Sequence, residues 1–282
     1  MRALVVGGSG FLGRHVSAAL RVAGWYVVPV SRSAEVPLDL AACSTADLRA
    51  LLRSARPDAI VNCAGLLWSA VLDPAALTAV NAKLPARLAA VAGGRRLVQL
   101  GSIYEYGDQR ILDESTQEQP ATPYGISKLA GTRAVLDGGG TVLRLGTAIG
   151  AGLPARSFLG GLAQRLRNAP PGEFTVPVAP GERDFLHAGD VAAAVLAALG
   201  APGTGLYNVA SGEPVAPRRL VESLVRVSAA PVHLRTVPAA TTARGGTDRQ
   251  LIRIEAAATG LGWHPRRNLN DAVADVWHSA QV

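Results

Sequence analysis

A tyrosine and a lysine four residues apart, Tyr124 and Lys128, are the pair in this chain whose types and spacing point most directly to chemistry. On a helix, that spacing places the phenol and the ammonium on one face, close enough to share a ligand. A nearby ammonium favours the phenolate, so the pKa of the phenol is expected to fall from about 10 toward working pH. Tyr124 would then protonate or deprotonate an oxygen atom of a bound ligand. The alternative is an incidental pair on an exposed helix turn.

Lysine is rare in this chain. Only Lys83 and Lys128 are lysines, and arginine occupies every other basic position. A compact ammonium at this place can hydrogen-bond a ribose hydroxyl and the phenol together. The choice of residue therefore favours a chemical role for Lys128.

Ser102 is the third candidate and lies in the segment GSIYEYG, residues 101–107, after a predicted strand over 96–100. In open parallel sheets ligands bind beyond the carboxyl ends of the strands, which places Ser102 where chemistry would occur. A serine hydroxyl there can donate to a substrate carbonyl while it accepts from a neighbour. The alternative is a cap on a strand-end turn.

Three glycines spaced three residues apart follow the first predicted strand, over 4–6, and open a predicted helix over 11–23. Such glycines permit a tight turn, a close approach of backbone to a pyrophosphate, and packing of helix on strand, with the anion at the helix N-terminus. The alternative is an ordinary glycine-rich turn between a strand and a helix. The predicted cofactor contacts here are Gly7, Gly10, Phe11, Leu12 and Gly13.

The second predicted strand, over 25–30, ends at Ser31 and Arg32. An NAD site usually places an acid at this point against the ribose 2′-hydroxyl, whereas an NADP site places an arginine near the 2′-phosphate. Arg32, between two serines, therefore favours NADP(H) over NAD(H). The alternative is a solvated loop arginine.

Three further positions, together with Tyr124 and Lys128, complete the predicted cofactor site. Asp39, followed by Leu40, could cap a turn or face an adenine edge. Ala64 follows a predicted strand over 58–62 and is small enough for a nicotinamide ribose to lie close to the backbone. Asn81, on a predicted helix over 74–92, is by contrast expected to be a solvated or a packing residue.

The alternation of strands and helices predicts an α/β fold, a Rossmann-like doubly wound parallel sheet. We expect the dinucleotide-binding domain at residues 1–150 and a smaller α/β C-terminal part, interleaved with it, at 151–282. The remaining predicted strands are 141–145, 174–178, 206–209 and 232–237, and the remaining helices are 121–137, 155–168, one begun by Asp190, 217–228 and two short helices at the end.

Composition excludes several classes of protein. The net charge is +7, but the arginines are dispersed and form no basic, aromatic-interleaved stripe, so we expect small polyanions as ligands rather than nucleic acid. No apolar run approaches the roughly 20 residues needed to span a bilayer, and the N-terminus does not read as a signal peptide, so no membrane contact and a cytoplasmic location are expected. Cys43 and Cys63 lack metal-ligand spacing, and we predict no metal site.

With Gly7, Gly10 and Gly13, Ser102, and the Tyr124/Lys128 pair in this order, the chain resembles the extended short-chain dehydrogenase/reductases, the NAD-dependent epimerase/dehydratase family acting on nucleotide sugars. The likeness covers essentially the full length. Later segments similar to family landmarks are Arg144-Leu145, residues 183–187 with Asp190, residues 206–209 and residues 261–265.

The resemblance implies a smaller domain that closes over a nucleoside diphosphate sugar, with Ser102, Ile103, Tyr104 and Arg183 on the substrate side. It also implies a homodimer formed through the helices over 74–92 and 121–137. The counterpart of Arg183 grips the diphosphate, which a forked guanidinium does well. The alternative for Arg183 is an ion pair with Asp184 or Asp190.

Departures from the family patterns narrow the reaction. The 4,6-dehydratases carry an Asp-Glu pair where this chain has Ile103-Tyr104, and the epimerase-reductases that make GDP-fucose carry a cysteine where Tyr104 stands. What remains is reduction of a keto-sugar by NADPH, 4-epimerization on a retained NAD, or a non-catalytic NADP-binding sensor. Arg32, the short chain and the likeness of segments 101–107 and 122–125 to bacterial deoxysugar 4-ketoreductases favour reduction of the C4 carbonyl of a dTDP-4-keto-6-deoxyhexose.

Overall fold

The structure is a computed structural model that describes residues 1–66, 73–239 and 249–280. Its strands are β1 (Arg2–Val6), β2 (Tyr26–Ser31), β3 (Val36–Pro37), β4 (Ala59–Asn62), β5 (Arg96–Ser102), β6 (Ile111–Leu112), β7 (Thr141–Leu145), β8 (Thr147–Ile149), β9 (Gly172–Val178), β10 (Arg183–His187), β11 (Leu206–Val209), β12 (Pro214–Val215), β13 (Val232–Pro238) and β14 (Leu251–Ile252). Its α-helices are α1 (Phe11–Val22), α2 (Thr45–Ala55), α3 (Pro74–Leu77), α4 (Leu84–Val91), α5 (Pro123–Asp137), α6 (Phe158–Arg167), α7 (Ala188–Gly200), α8 (Pro217–Ser228), α9 (Glu255–Leu261) and α10 (Leu269–Ser279). A π-helical segment, Thr78–Lys83, joins α3 to α4, and a 3₁₀ turn covers Ile103–Glu105.

A seven-stranded sheet forms the centre of the molecule, in the order β11-β7-β5-β4-β1-β2-β3. Each neighbouring pair in it runs parallel. Parallel strands require crossover connections, and these are supplied by helices that cover both faces. The predicted Rossmann-like, doubly wound α/β fold is confirmed.

The two faces of the sheet bury different residues of the same strands. In β1, Ala3 and Val5 belong to a cluster with residues of α1 and α7, while Leu4 and Val6 belong to one with residues of α2 and α4. This is the alternation that a pleated strand dictates. Apolar packing therefore covers both faces of the sheet.

Three smaller sheets are also present, two of which combine strands from the first and second parts of the chain. The strands β12, β10 and β8 form a three-stranded sheet, β9 and β13 a parallel pair, and β6 and β14 another parallel pair. A separate apolar cluster unites α6, α8 and α10. Other elements of the second part return to the large sheet, because α7 packs on α1 and β11 pairs with β7.

None of the helices in the described ranges is both long enough and apolar enough to cross a bilayer.

Candidate active site

The glycine turn after β1 is packed so closely that side chains would not fit. Gly7 has a φ of +79°, and a Cβ on it would lie 2.7 Å from the backbone nitrogen of Ala64. A Cβ on Gly13 would lie 2.1 Å from the carbonyl oxygen of Gly7, which is how α1 comes to pack directly on the turn. The predicted reasons for glycine at both positions are confirmed.

The N-terminus of α1 lies at the carboxyl end of β1. Its N-cap residue is Gly10, and no side chain caps it within the described residues. The first N–H groups of the helix, which begins with Phe11 and Leu12, therefore remain available to an anion. A glycine cradle beside a helix N-terminus matches the shape and charge of a dinucleotide pyrophosphate, so the residues present suit the cofactor that the fold implies.

Hydroxyl groups gather where β2 ends. The Oγ of Ser9 lies 2.6 Å from the Oγ of Ser31 and 3.1 Å from that of Ser33. Arg32 lies exposed between the last two serines. Ser9 was not predicted from the sequence. Its hydroxyl lies within the glycine turn, and the two serines at the end of the second strand could have indicated a shared polar site.

Asp39 and Leu40 lie beyond β3. The Oδ1 of Asp39 accepts the N–H of Ala41 at 2.9 Å, so its carboxylate does cap a turn, the first of the two expectations for it. Leu40 packs against the apolar cluster beneath α2. A contact of these residues with the cofactor stays a prediction.

Ser102 and Tyr124 are brought together by the end of β5 and the start of α5. Ser102 is the last residue of β5, and Tyr124 lies in the first turn of α5, whose N-cap Thr122 accepts the N–H of Gly125 at 3.1 Å. A Cβ on Gly125 would lie 2.4 Å from the carbonyl oxygen of Tyr104, so glycine lets this turn approach the loop after β5. The predicted helix that carries Tyr124 is confirmed.

The pKa of Tyr124 departs from its ordinary value upward. Burial raises it, a hydrogen bond with the side chain of Ser102 opposes the rise, and the charges of Glu105 and Tyr104 add to it. The prediction that Lys128 lowers this pKa is wrong for this structure, because desolvation of the phenolate dominates and the Lys128 ammonium is bound elsewhere. Tyr124 therefore holds its proton at neutral pH.

Lys128 is buried one turn further along α5. Its Nζ donates to the carbonyl oxygen of Leu100, within β5. Burial lowers the pKa of Lys128, while Glu105 and Cys63 raise it. Burial also raises the pKa of the Cys63 thiol to about 12, so this cysteine is a neutral neighbour.

Asn81 links three parts of the site, which the sequence reasoning did not anticipate. Its Oδ1 accepts the N–H of Leu66 at 3.0 Å, and its Nδ2 donates to the Oγ of Ser127 at 3.1 Å. The π-helical segment carries this residue into the space between the loop after β4 and α5. The expectation of a hydrogen-bonded packing residue is confirmed. An amide within an otherwise apolar helix could have indicated that this residue links neighbouring segments.

The predicted substrate-side residues lie in two places, with Ile103 and Tyr104 in the 3₁₀ turn after β5 and Arg183 in β10 of the three-stranded sheet. Ile103 is buried, and the ring of Tyr104 meets that of Tyr124 edge to face, with 5.9 Å between the centroids. Arg183 begins β10, and its Nη1 donates to the carbonyl oxygen of Glu182 at 2.8 Å. The carboxylates of Asp184 and Asp190 accept hydrogen bonds from backbone groups of other residues.

Across the described ranges, no three His, Cys, Asp or Glu side chains are grouped so as to hold a metal ion.

Comparison with known proteins identifies the family. A model of the NAD dependent epimerase/dehydratase family matches residues 3–210. The dTDP-6-deoxy-L-talose 4-dehydrogenase (NAD(P)(+)) of Kitasatospora kifunensis is 36% identical over 302 residues, covering 98% of this chain and 94% of that protein. The GDP-6-deoxy-D-mannose reductase of Pseudomonas aeruginosa is 28% identical, covering 99% and 97%.

The solved structures give the same fold. The structure of RMD from Pseudomonas aeruginosa complexed with NADPH aligns with a TM-score of 0.85 at 25% identity and covers 99% of this chain and 97% of that one. The prediction of an NAD(P)-dependent oxidoreductase of this class is confirmed. The chain belongs to the NAD dependent epimerase/dehydratase family, the extended short-chain dehydrogenase/reductases.

Proposed function

We propose that this enzyme reduces the C4 carbonyl of a dTDP-4-keto-6-deoxyhexose with NADPH. The observation that carries the proposal is the pairing of Ser102 with Tyr124 at the carboxyl end of β5, with the phenol held in its protonated form. A reduction consumes one proton at the carbonyl oxygen, and Tyr124 is built to supply it. The name of the relative from Kitasatospora kifunensis, which specifies position 4 of a dTDP-6-deoxy sugar, supports the same substrate class.

The cofactor would be held by the glycine turn and the first turn of α1. The hydroxyls of Ser9, Ser31 and Ser33, with the exposed guanidinium of Arg32, offer donors and a positive charge suited to a ribose 2′-phosphate, which supports NADPH over NADH. When bound, the nicotinamide supplies the hydride.

The side chains of the chain then handle the oxygen and the proton. The hydroxyl of Ser102 and the phenol of Tyr124 donate to the carbonyl oxygen and stabilise the negative charge that develops on it. Tyr124 transfers its proton to that oxygen. Lys128, whose ammonium donates to a backbone carbonyl in this structure, would hold a ribose hydroxyl and keep a positive charge beneath the phenol.

The residues after Ser102 support reduction over elimination. Ile103 is buried and apolar, and the Tyr104 side chain is a phenol packed against Tyr124. Neither can act as the second acid and base that a 4,6-dehydration requires. Arg183 is proposed to bind the diphosphate of the substrate.

The test is an absorbance assay with NADPH and a panel of dTDP-, GDP- and UDP-linked 4-keto-6-deoxyhexoses. We expect the dTDP-linked ketone to consume NADPH mole for mole and to yield the reduced sugar. Interconversion of 4-epimers without net oxidation of cofactor would instead identify an epimerase that retains NAD. Binding of NADPH with neither outcome would identify a sensor, and either result would refute the proposal.

A further inference from the structure

Glu105 is a fully buried carboxylate whose role the reaction above does not explain. It lies three residues after Ser102, and its Oε1 accepts the N–H of Ser102 at 2.8 Å. Its Oε2 lies 2.7 Å from the Nε of Arg144, another fully buried side chain. Both carboxylate oxygens of Glu105 therefore have partners, one being the backbone of Ser102 and the other the guanidinium of Arg144.

Arg144 holds this carboxylate rigidly. Its Nη2 donates to Glu118 at 2.7 Å, and its guanidinium lies 4.4 Å from the ring centroid of Tyr106. The hydroxyl of Tyr106 donates in turn to Asn208, at 2.8 Å, on β11. The position of Glu105 is thus fixed from the large sheet and cannot adapt freely.

Glu105 and Lys128 are bound to the same short piece of strand. Lys128 donates to the carbonyl oxygen of Leu100, and Glu105 accepts from the N–H of Ser102, two residues further along β5. The titratable groups that face the pair Tyr124 and Lys128 are Glu105, Tyr104 and Cys63. Among these, Glu105 raises the pKa of both members of the pair.

We propose that Glu105 is a positioning residue of the active site, whose buried carboxylate fixes the end of β5 carrying Ser102 and supplies the negative charge that faces the Lys128 ammonium. The inference rests on the proposed function, because it assigns a task within that same site. A neutral acceptor would suffice to cap the 3₁₀ turn. A buried carboxylate matched by a buried arginine is costly to desolvate and contributes little stability on balance, which supports a use for the charge itself.

Three variants separate the charge of Glu105 from its structural contacts. Glu105→Gln keeps an acceptor for the Ser102 N–H but removes one of the two carboxylates that pair with the buried Arg144, which can prevent folding. The double variant Glu105→Gln/Arg144→Gln restores a neutral pair. The matched control is Glu118→Gln, which removes the other carboxylate bound to Arg144 but none of the charge that acts on Lys128.

The charge can be read directly by NMR, because the chain has only two lysines. Protein labelled with ¹³C at the lysine Cε gives two signals, and Lys83→Arg assigns them. We expect Lys128 to titrate at a lower pH in the double variant than in the wild type, and at the wild-type pH in Glu118→Gln. An unchanged titration in the double variant, or an equal shift in the control, would overturn the proposal.

Kinetics supply an independent reading. In the double variant the alkaline limb of the reduction rate should move to lower pH, and kcat should fall on the order of 10²-fold with little change in the KM for NADPH, because the oxygen-binding groups are misplaced. If the wild type reduces no keto-sugar while the NMR shift occurs, the proposed function fails and the assignment of Glu105 stands. If the wild type reduces the ketone and the titration of Lys128 is unchanged in the double variant, the proposed function stands and the assignment of Glu105 fails.

Discussion

The pKa of Tyr124 is higher than the sequence pattern predicted. Burial raises it, and the neighbouring carboxylate of Glu105 raises it further. A phenol that keeps its proton suits the reducing direction, in which the proton must be present when the oxygen becomes negative. The direction of this pKa shift comes from the surroundings of the residue rather than from its spacing to Lys128.

Tyr124→Phe removes the proton and retains the ring that packs against Tyr104. We expect kcat for reduction to fall by about 10² to 10⁴-fold, the range that a positioned acid contributes, with NADPH binding retained. Stopped-flow kinetics and fluorescence titration of NADPH measure the two quantities. A variant that reduced the ketone at nearly the wild-type rate would assign the proton to another group.

The pH dependence of reduction should reflect Lys128 before Tyr124. Burial lowers the pKa of Lys128 and raises that of Tyr124, so on raising the pH the ammonium loses its proton first. We expect the rate to fall on the alkaline side, at a pH below the ordinary lysine pKa of about 10.4. A pH profile of kcat measures this limb. In Lys128→Arg, which stays charged, the limb should move to higher pH, and an unmoved limb would contradict the assignment.

Arg32 is predicted to set the preference for NADP(H). Replacing it with alanine removes a charge that would contact the 2′-phosphate, so kcat/KM for NADPH should fall by roughly tenfold or more while that for NADH stays constant. Arg49→Ala, on the exposed face of α2, is the matched control and should change neither. Equal losses with both cofactors would show that Arg32 does not contact the phosphate.

At the scale of elements, the longer helices and strands could be read from the sequence because each has its own periodicity. The strand β7, the strand β11 and the helix α8 have the predicted bounds. The helix α2 was missed, although Ser44 and Asp47 form a reciprocal capping box at its start. The short strands β3, β6, β12 and β14 have two residues each and carry no pattern, because distant partners determine their pairing.

The contact between α5 and the π-helical segment depends on Gly131. A Cβ there would lie 2.1 Å from the carbonyl oxygen of Asn81, a backbone atom that cannot move aside. Gly131→Ala should therefore reduce the free energy of unfolding by about 1–3 kcal/mol, as overpacking does, and should impair reduction through Asn81.

Urea unfolding measures this change. Gly200→Ala, at the end of α7, is the matched control, since a Cβ at Gly200 would meet nothing within 4 Å. It should leave the stability unchanged or raise it by up to about 1 kcal/mol. Equal stability of the two variants would mean that α5 can shift to accept the extra methyl group.

For the whole molecule, the predicted boundary near residue 150 divides the sequence but not the central sheet. Beyond it, α7 and Trp263 complete one apolar face, and β11 pairs with β7. Sequence alone could not assign these returning elements, because a strand carries no mark of the sheet that it joins. Ser102, Tyr124 and Lys128 could be proposed as site residues from type and order. The hydrogen bond from Asn81 to Ser127 and the ion pair of Glu105 with Arg144 depend on tertiary contacts, whose partners the sequence did not identify.

A fragment of residues 1–150 should consequently fail to fold, since Leu143, Val5 and their neighbours would lose the cover of α7. Circular dichroism and urea unfolding should show no cooperative transition for the fragment and a clear one for the full chain. A cooperative fragment would indicate that the first five helices and their strands suffice. The homodimer through residues 74–92 and α5 stays a prediction, which sedimentation of the full chain would measure.

The separate apolar clusters also carry separate natural fluorophores. Trp263 lies in the cluster on the α7 face of the sheet, with its indole N–H donated to the carbonyl oxygen of Asp190, and Trp25 packs against the same cluster. Trp277 lies in the cluster of α6, α8 and α10, with the guanidinium of Arg167 4.0 Å from its ring. A protein that keeps Trp277 alone, with Trp25, Trp68 and Trp263 replaced by phenylalanine, would thus follow the melting of the cluster of α6, α8 and α10 without any added dye. A protein that keeps Trp263 alone would follow the cluster on the α7 face, and comparison of the two emission curves would reveal which cluster loosens first.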